Sequence, residues 1–588
     1  MKVPLTGIVA LAFADASIVA LALPAIYARF DTTIVGVSWV LTGYAIAVTV
    51  AALAVLAGRR WLRPVPLTMT GLGLFAAGST WCGLSGSLAE LLVSRVAQGI
   101  GAAALLAGAL ELLCAELGGE RGRALWSGAA TAGLAVGPAL GGVLTQAFDW
   151  RVIFLAQVPV ALVVLALLAV RRPRAAVEAE PDKPVDRRAI WATTGYVTLF
   201  AGLVGALFLG VLLLVEIWRY SPVVAALVVM ALPAGTVLAG RLTAGAGPAL
   251  RVVAGTVGLS AGLLGLAFLP AVSAAWAAVA LFLCGAGSGV VARALSSAAL
   301  PSVRAGGAVV AAKHAGLVLG LVVIAPLLAG SLTDSSRDAV VTGTGVLLDA
   351  RMPVDDKLRL ALSVRDTFNS ASRGSVPDLA AAVGQTDRSA AATAVVEEVE
   401  RRLTAVLTRA FRPAFAAAAG LAILTVLAAF AVRGRPRGYA RARATPFAAI
   451  AALVLLGPVV LGAEAAAGAR DYGRFAETDP CAAPADPYPG DGVDALVQRV
   501  AYGALHGAAC DLGMSRERFL LALTGQPGFV DDVEWDPVKV EKAVRAGIDR
   551  ALDDVEERGD APALTITLVR EAVRRMPLEE ILKLVGLR

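Results

Sequence analysis

Residues 4–28 read PLTGIVALAFADASIVALALPAIYA, an apolar run with a single charged side chain, Asp15. A helix rises 1.5 Å per residue, so about 20 apolar residues cross the hydrocarbon core of a bilayer. This run is long enough. Asp15 in its middle, and the immediate continuation into further apolar runs, argue against a cleaved signal peptide. Working outward, similar stretches lie near 34–57, 65–85, 88–116, 123–147 and 151–170. After a basic stretch at 171–188, five more lie near 189–215, 220–240, 249–270, 274–298 and 305–330. The last two lie near 412–432 and 446–464, giving roughly thirteen spans in all. Composition agrees: 57% of the 588 residues are hydrophobic, 17% are charged, and mean hydropathy is +0.73. A soluble enzyme carries about 25% charge. The chain is predicted to be an all-α polytopic membrane protein.

The formal charge of +6 is explained by topology. One set of loops holds Arg59, Arg60, Arg63, Arg121, Arg123, the 171–188 linker, Arg241, Arg251, Arg304 and the five arginines from Arg433 to Arg443. The alternate loops hold only Arg29, Arg151 and Arg219. By the positive-inside rule the N-terminus is cytoplasmic, and nucleic acid is not expected as a partner. Five cysteines exclude a disulfide-dense scaffold, and two histidines exclude a multi-histidine metal centre. No metal is called for. No Walker-type GxxxxGK[ST] occurs, and GAGSG at 285–289 sits inside an apolar run, so no cofactor is called for either.

Two segments are expected outside. In the insert, 331–411, Val354, Leu358, Leu362 and Phe368 keep helical spacing, as do Val395, Val399, Leu403, Val406 and Ala410. In the tail, 465–588, Val497, Val500, Ala504, Leu505 and Ala508 do so, followed by Val540, Val544, Ile548, Leu552 and Val555. Asp536 before Pro537 reads as a helix start. The tail is long enough for a small folded domain. Its only cysteines, Cys481 and Cys510, are expected to form a disulfide, because an extracytoplasmic compartment permits one.

Six spans, a basic linker and six more make a two-fold repeat. VLAGR at 55–59 recurs at 237–241, at the equivalent place in each half. Span 1 carries FADASIVALALPAI, with Asp15 and Pro24. Span 2 opens SWVLTGYAIA, with Trp39 and Tyr44. Span 4 contains the Arg-x-x-Gln-Gly of Arg95, Gln98 and Gly99. Span 5 reads GLAVGPALGGVLTQAFDW, with Gly133, Gly137, Pro138, Gly141 and Gly142. Together these motifs resemble the major facilitator superfamily, and within it the drug:proton antiporter exporters. The detailed resemblance covers about 1–170 and the looser layout reaches about 432. There are two departures. Gly58 stands where the family's loop after span 2 carries an acid, and the 171–188 linker is too short for two extra helices.

The resemblance implies two six-helix halves, 1–170 and 189–432, joined by the cytoplasmic linker 171–188 and interrupted by the insert 331–411. A basic cytoplasmic loop, 433–445, a thirteenth helix, 446–464, and the small helical extracytoplasmic domain 465–588 lie beyond it. The implied activity is export of an amphipathic organic compound by alternating access, driven by protons; it is not an enzyme. Partners are that compound, protons and membrane lipids, with an unidentified partner for the external domain. Two other readings are a non-transporting scaffold presenting its external domains and an exporter of a lipid or cell-envelope precursor.

Asp15 lies roughly 16 Å into span 1 by helical rise. An ionised carboxylate there is costly unless paired or wet, and apolar surroundings favour its protonated form, as a proton carrier requires. Asp15 otherwise reads as a structural hydrogen-bonding group within the bundle or a substrate contact. The resemblance implies Arg95, with Gln98 of the same motif, as a coupling or cavity residue, and otherwise Arg95 reads as locking helix ends. If Asp15 is the proton site, Asp15→Asn is expected to abolish uphill transport while leaving folding intact. Glu111 reads as a snorkelling or packing residue. Arg293, Lys313 and His314 read as interfacial anchors or as cavity residues offsetting Asp15 or an anionic substrate. Because Arg95, Arg293 and Lys313 outnumber Asp15 and Glu111, the cavity is expected to prefer neutral or anionic amphipaths. The glycines of span 5 are expected to let helices approach closely at the seam between the halves, with Pro138 permitting a kink.

Overall fold

The computed structural model describes residues 1–171, 187–300, 305–353, 390–430, 444–474, 493–526 and 537–577, with isolated residues between these ranges. Every regular element among them is helical. The first half comprises α1 (Lys2–Phe30), α2 (Ile34–Ala57), α3 (Pro64–Leu84), α4 (Leu88–Leu117), α5 (Gly119–Ala147) and α6 (Val152–Arg171). The second comprises α7 (Arg187–Ile217), α8 (Pro222–Leu242), α9 (Pro248–Ala267), α10 (Ala274–Ala299), α11 (Ala305–Leu348) and α12 (Ala392–Phe430), followed by α13 (Ala444–Ala466).

The boundaries have local causes. Thr33 accepts a hydrogen bond from Gly36 N at 2.9 Å to start α2. At the start of α4, Ser87 accepts from Glu90 N at 3.2 Å, satisfying a free N–H of the first turn, while the Glu90 carboxylate accepts from Gly86 N just before the helix at 2.9 Å. Pro64, Pro222 and Pro248 occupy first turns, where no N–H is needed.

Twelve helices among the described residues are long and apolar enough to cross a membrane, one fewer than the sequence count. The helix outside that set is α3, whose Thr68, Thr70, Gly71, Gly73, Gly78, Ser79 and Thr80 dilute its apolar content. Those small residues have a packing use. A Cβ on Gly78 would stand 2.7 Å from Gln98 Cα, and one on Gly101 would stand 2.9 Å from Gly71 O, so α3 and α4 touch backbone to backbone.

The chain forms two compact units. One is Met1–Leu332 with Thr408–Tyr472; the other is Thr333–Leu407 with Gly473–Arg588. The sequence treats insert and tail as separate segments, whereas the structure builds them into one unit. Val341 of the insert packs with Leu521 and Phe529 of the tail. Arg516 of the tail donates to Asp349 of the insert at 2.7 Å, and Tyr502 Oη donates to the same carboxylate at 3.0 Å. The tail's own helices are α14 (Val493–Leu512), α15 (Arg516–Leu523), α16 (Pro537–Arg558) and α17 (Ala563–Arg575).

On α16, Val540, Val544, Ile548, Leu552 and Val555 are all buried, and on α12 so are Val399, Leu403, Val406 and Ala410. On α14, Val500, Ala504, Leu505 and Ala508 make the contact as read in the sequence, while Val497 is exposed and Leu496 takes its place. The stretch with Val354, Leu358, Leu362 and Phe368, residues 172–186, the loop 433–443 and Asp536 lie outside the described residues. Cys481 and Cys510 are joined by a disulfide, with Cα atoms 4.9 Å apart. Cys82, Cys114 and Cys284 are buried and stand outside any disulfide among the described residues.

Candidate functional site

Five helices of the first half converge on Asp15, which is fully buried. Its Oδ2 accepts from Arg95 Nη1 of α4 at 2.7 Å. Its Oδ1 accepts from Gln157 Nε2 of α6 at 3.0 Å and from Gln98 Nε2 at 3.3 Å. Arg95 and Gln98 are three residues apart on α4, hence on one face, and Arg95 Nη1 also donates to Gln98 Oε1 at 2.6 Å. Arg95 Nε donates to Val40 O of α2 at 3.0 Å, and Gln98 Nε2 to Ser79 Oγ of α3 at 2.8 Å. The guanidinium lies over the Tyr44 ring at 4.1 Å. A buried ion pair needs this many partners, because the Coulombic gain alone does not cover desolvation. Arg95 Nη2 and Tyr44 Oη remain without partners, polar atoms held inside the bundle at the edge of the cluster.

Gln157 was not read as a site residue in the sequence. Its signal is a lone amide in the apolar run VIFLAQVPVALVV. Glu111 is not a snorkelling residue: it is buried and ion-paired with Arg59 of the loop after α2. The loop lacks an acid at Gly58, yet it meets one from α4.

Among the described residues Lys313 and His314 of α11 make no hydrogen bond or ion pair with this cluster, though the His314 ring meets Tyr44 edge-on at 6.0 Å. They line a small cavity with Phe13, Ser17 and Leu41 from the first half and Phe200 and Val204 from the second. Asp15 and Arg95 do not line it. Residues 13, 16, 17 and 20 of α1 face the cavity, and Asp15 points into the polar cluster, so one helix divides the two. Lys313 Nζ lies over the rings of Phe13 at 4.8 Å, Tyr196 and Phe200 at 5.5 Å each and Trp126 at 5.8 Å. Among the described residues no carboxylate pairs with it. His314 is buried, its Nδ1 2.8 Å from Val310 O. The cavity volume is about 40 Å³, room for a few water molecules and far below the roughly 300–1,000 Å³ of a small-molecule pocket. Arg293 takes no part in either place. It is exposed on α10, beside Gly240 of α8.

The glycines of α5 explain themselves by what they touch. Gly133, Gly137 and Gly141 recur every fourth residue on the face toward α1. A Cβ on them would stand 3.0 Å from Ala10 Cα, 3.0 Å from Ala14 O and 2.5 Å from Ile18 O respectively. Gly142 faces α8 of the other half, where a Cβ would stand 2.7 Å from Pro222 O. Pro138 lies inside this helix. Thus α5 seats α1, and with it Asp15, against the seam between halves.

The family model described as Major Facilitator Superfamily matches residues 5–333. Among similar proteins are the multidrug resistance protein Stp of Mycobacterium tuberculosis, 39% identical over 165 residues, 26% of this chain and 30% of that one. The methylenomycin A resistance protein of Streptomyces coelicolor is 33% identical over 168 residues, 28% of this chain and 35% of that one. The tetracenomycin C resistance and export protein of Streptomyces glaucescens is 37% identical over 156 residues, 26% of this chain and 29% of that one. The matched segment therefore spans about a third of each of these curated relatives. The crystal structure of a bacterial homologue of the human lysosomal transporter Spinster, in an inward-facing occupied conformation, shares the fold. Its TM-score is 0.51 at 14% identity, covering 73% of this chain and 95% of that one. Helix lengths, the seam glycines and the family match give one conclusion: this multi-pass membrane protein belongs to the major facilitator superfamily, a family of transporters and not of enzymes.

Proposed function

We propose that the protein exports an amphipathic organic compound in exchange for protons, with Asp15 as the proton-carrying group. The observation that carries this reading is the buried Asp15–Arg95 pair, braced by Gln98 and Gln157 and seated by α5 at the seam. Reopening the halves exposes α1 from the cavity side, and protonation of Asp15 removes the charge that Arg95 holds. A neutral carboxyl crosses a desolvated state at far lower cost than a carboxylate. Export rather than uptake follows the resistance proteins that the first part of the chain resembles. The deciding experiment is transport in proteoliposomes under an imposed pH gradient. Accumulation that collapses with the gradient supports the reading, and accumulation indifferent to it removes proton coupling.

The cavity is assigned to a neutral or anionic amphipath, since Lys313 is the one charged group lining it and the rest of its wall is largely apolar. We also infer that α3 spans the bilayer with the other helices, because it packs along α4 and α6. We further infer a cytoplasmic N-terminus and an extracytoplasmic unit containing Cys481 and Cys510, a reading supported by the arginine bias of the loops and by the disulfide. Impermeant thiol labelling of intact cells after reduction tests this: label at Cys481 or Cys510 supports it, and label only after lysis reverses it.

A further inference from the structure

We propose that Arg251 and Arg293, together with the start of α13, form a binding site for the phosphate of an anionic phospholipid. Arg251 of α9 is 8% exposed, and among the described residues its Nε and Nη2 have no hydrogen-bond partner. A buried guanidinium without an acceptor is costly, so this group is built to meet an anion. Among the described residues neither arginine makes an ion pair, and the charge of Arg293 bears directly on Arg251.

Helical register places the start of α13 over the same groove. Leu453 of α13 packs on Val290 and Ala286 of α10 and on Ala261 of α9, and Ile450 packs on Ala254 of α9. One turn further along, Ala254 gives way to Arg251 and Val290 to Arg293, on the same faces. On α13 that turn is the first, where Pro446 meets Gly245 of the α8–α9 loop. The positive end of the helix dipole therefore lies at the arginine end of the groove, a favourable setting for phosphate.

A lipid rather than a free ion is indicated by the neighbouring surface. Leu238 and Leu242 of α8, and Leu250 and Val253 of α9, are exposed apolar side chains beside the groove, suited to acyl chains. Basic pockets between membrane helices take anionic headgroups by this division of labour.

The test is native mass spectrometry of the purified full chain titrated with dioleoylphosphatidylglycerol, dioleoylphosphatidylcholine or inorganic phosphate. The expected result is tighter binding of phosphatidylglycerol than of phosphatidylcholine, weakened at least tenfold by Arg293→Gln and by Arg251→Gln and unchanged by Arg121→Gln. Arg293 is exposed, so Arg293→Gln keeps the test valid should Arg251→Gln fail to fold. Equal weakening by Arg121→Gln, or none by Arg293→Gln, overturns the site. Inorganic phosphate competing fully at matched concentration overturns the lipid assignment.

Discussion

Asp15 and Lys313 are both charged groups inside the transmembrane bundle, and the molecule treats them in opposite ways. Asp15 is enclosed by polar partners from α4 and α6, themselves braced by α2 and α3. Lys313 meets only aromatic faces and an apolar cavity. A cation over rings gains about 2 kcal/mol when desolvated and leaves its hydrogen-bond donors free. The Asp15–Arg95 pair has both carboxylate oxygens and two of the three guanidinium nitrogens engaged, leaving Arg95 Nη2 without an acceptor among the described residues. The first arrangement suits a group whose protonation state changes a conformation, and the second suits a group waiting for a ligand.

The largest effect should come from splitting the ion pair. Arg95→Met leaves Asp15 buried without its cation, and should cost about 3–5 kcal/mol in thermal or denaturant unfolding of the purified protein. A loss below about 1 kcal/mol would make the pair incidental and erase the contrast with Lys313.

Asp15→Asn should abolish gradient-driven accumulation, and it should also lower stability. Asp15 is the carboxylate paired with Arg95, so the single change strands a buried cation. The double variant Asp15→Asn with Arg95→Gln removes both charges and should recover much of the lost stability while remaining uncoupled. Uphill transport by the double variant, measured in proteoliposomes, would move proton coupling away from α1.

Gln157→Leu should lower stability by about 1–3 kcal/mol, the usual cost of leaving a buried polar group short of a partner. It should also alter the pH profile of transport, a readout that a purely packing role would not move. An unchanged profile would reduce Gln157 to scaffolding.

Lys313→Met should have the smallest effect on folding, within about 1 kcal/mol, because only contacts to ring faces are lost. It should instead weaken export of anionic amphipaths relative to cationic ones, while Lys313→Arg keeps the preference. Robust transport of a lipophilic dication, indifferent to Lys313, would end the assignment of this cavity to neutral and anionic compounds.

The run at 4–28, the alternating arginine-rich loops and the glycines of α5 let the sequence alone determine an all-α membrane protein of two halves with a folded tail. Hydropathy is a local sum, so a span can be read without knowing its neighbours; α3 shows the limit, because its small polar residues serve packing and lower that sum. Charge is equally local: Asp15, Arg95 and Lys313 were legible as embedded charges because water-free surroundings make each of them expensive. Which of them meet was not legible. A helix that is apolar all round has no amphipathic face to set its rotation about its own axis, so side-chain facing is settled only when helices pack. Tertiary packing alone turned Gln157 toward Asp15, placed Phe13 and Asp15 on different faces of α1, left Arg293 outside the cavity, and joined Glu111 to Arg59. It likewise brought the insert and the tail into one unit, because contacts between segments so far apart in the chain leave no periodic trace in either.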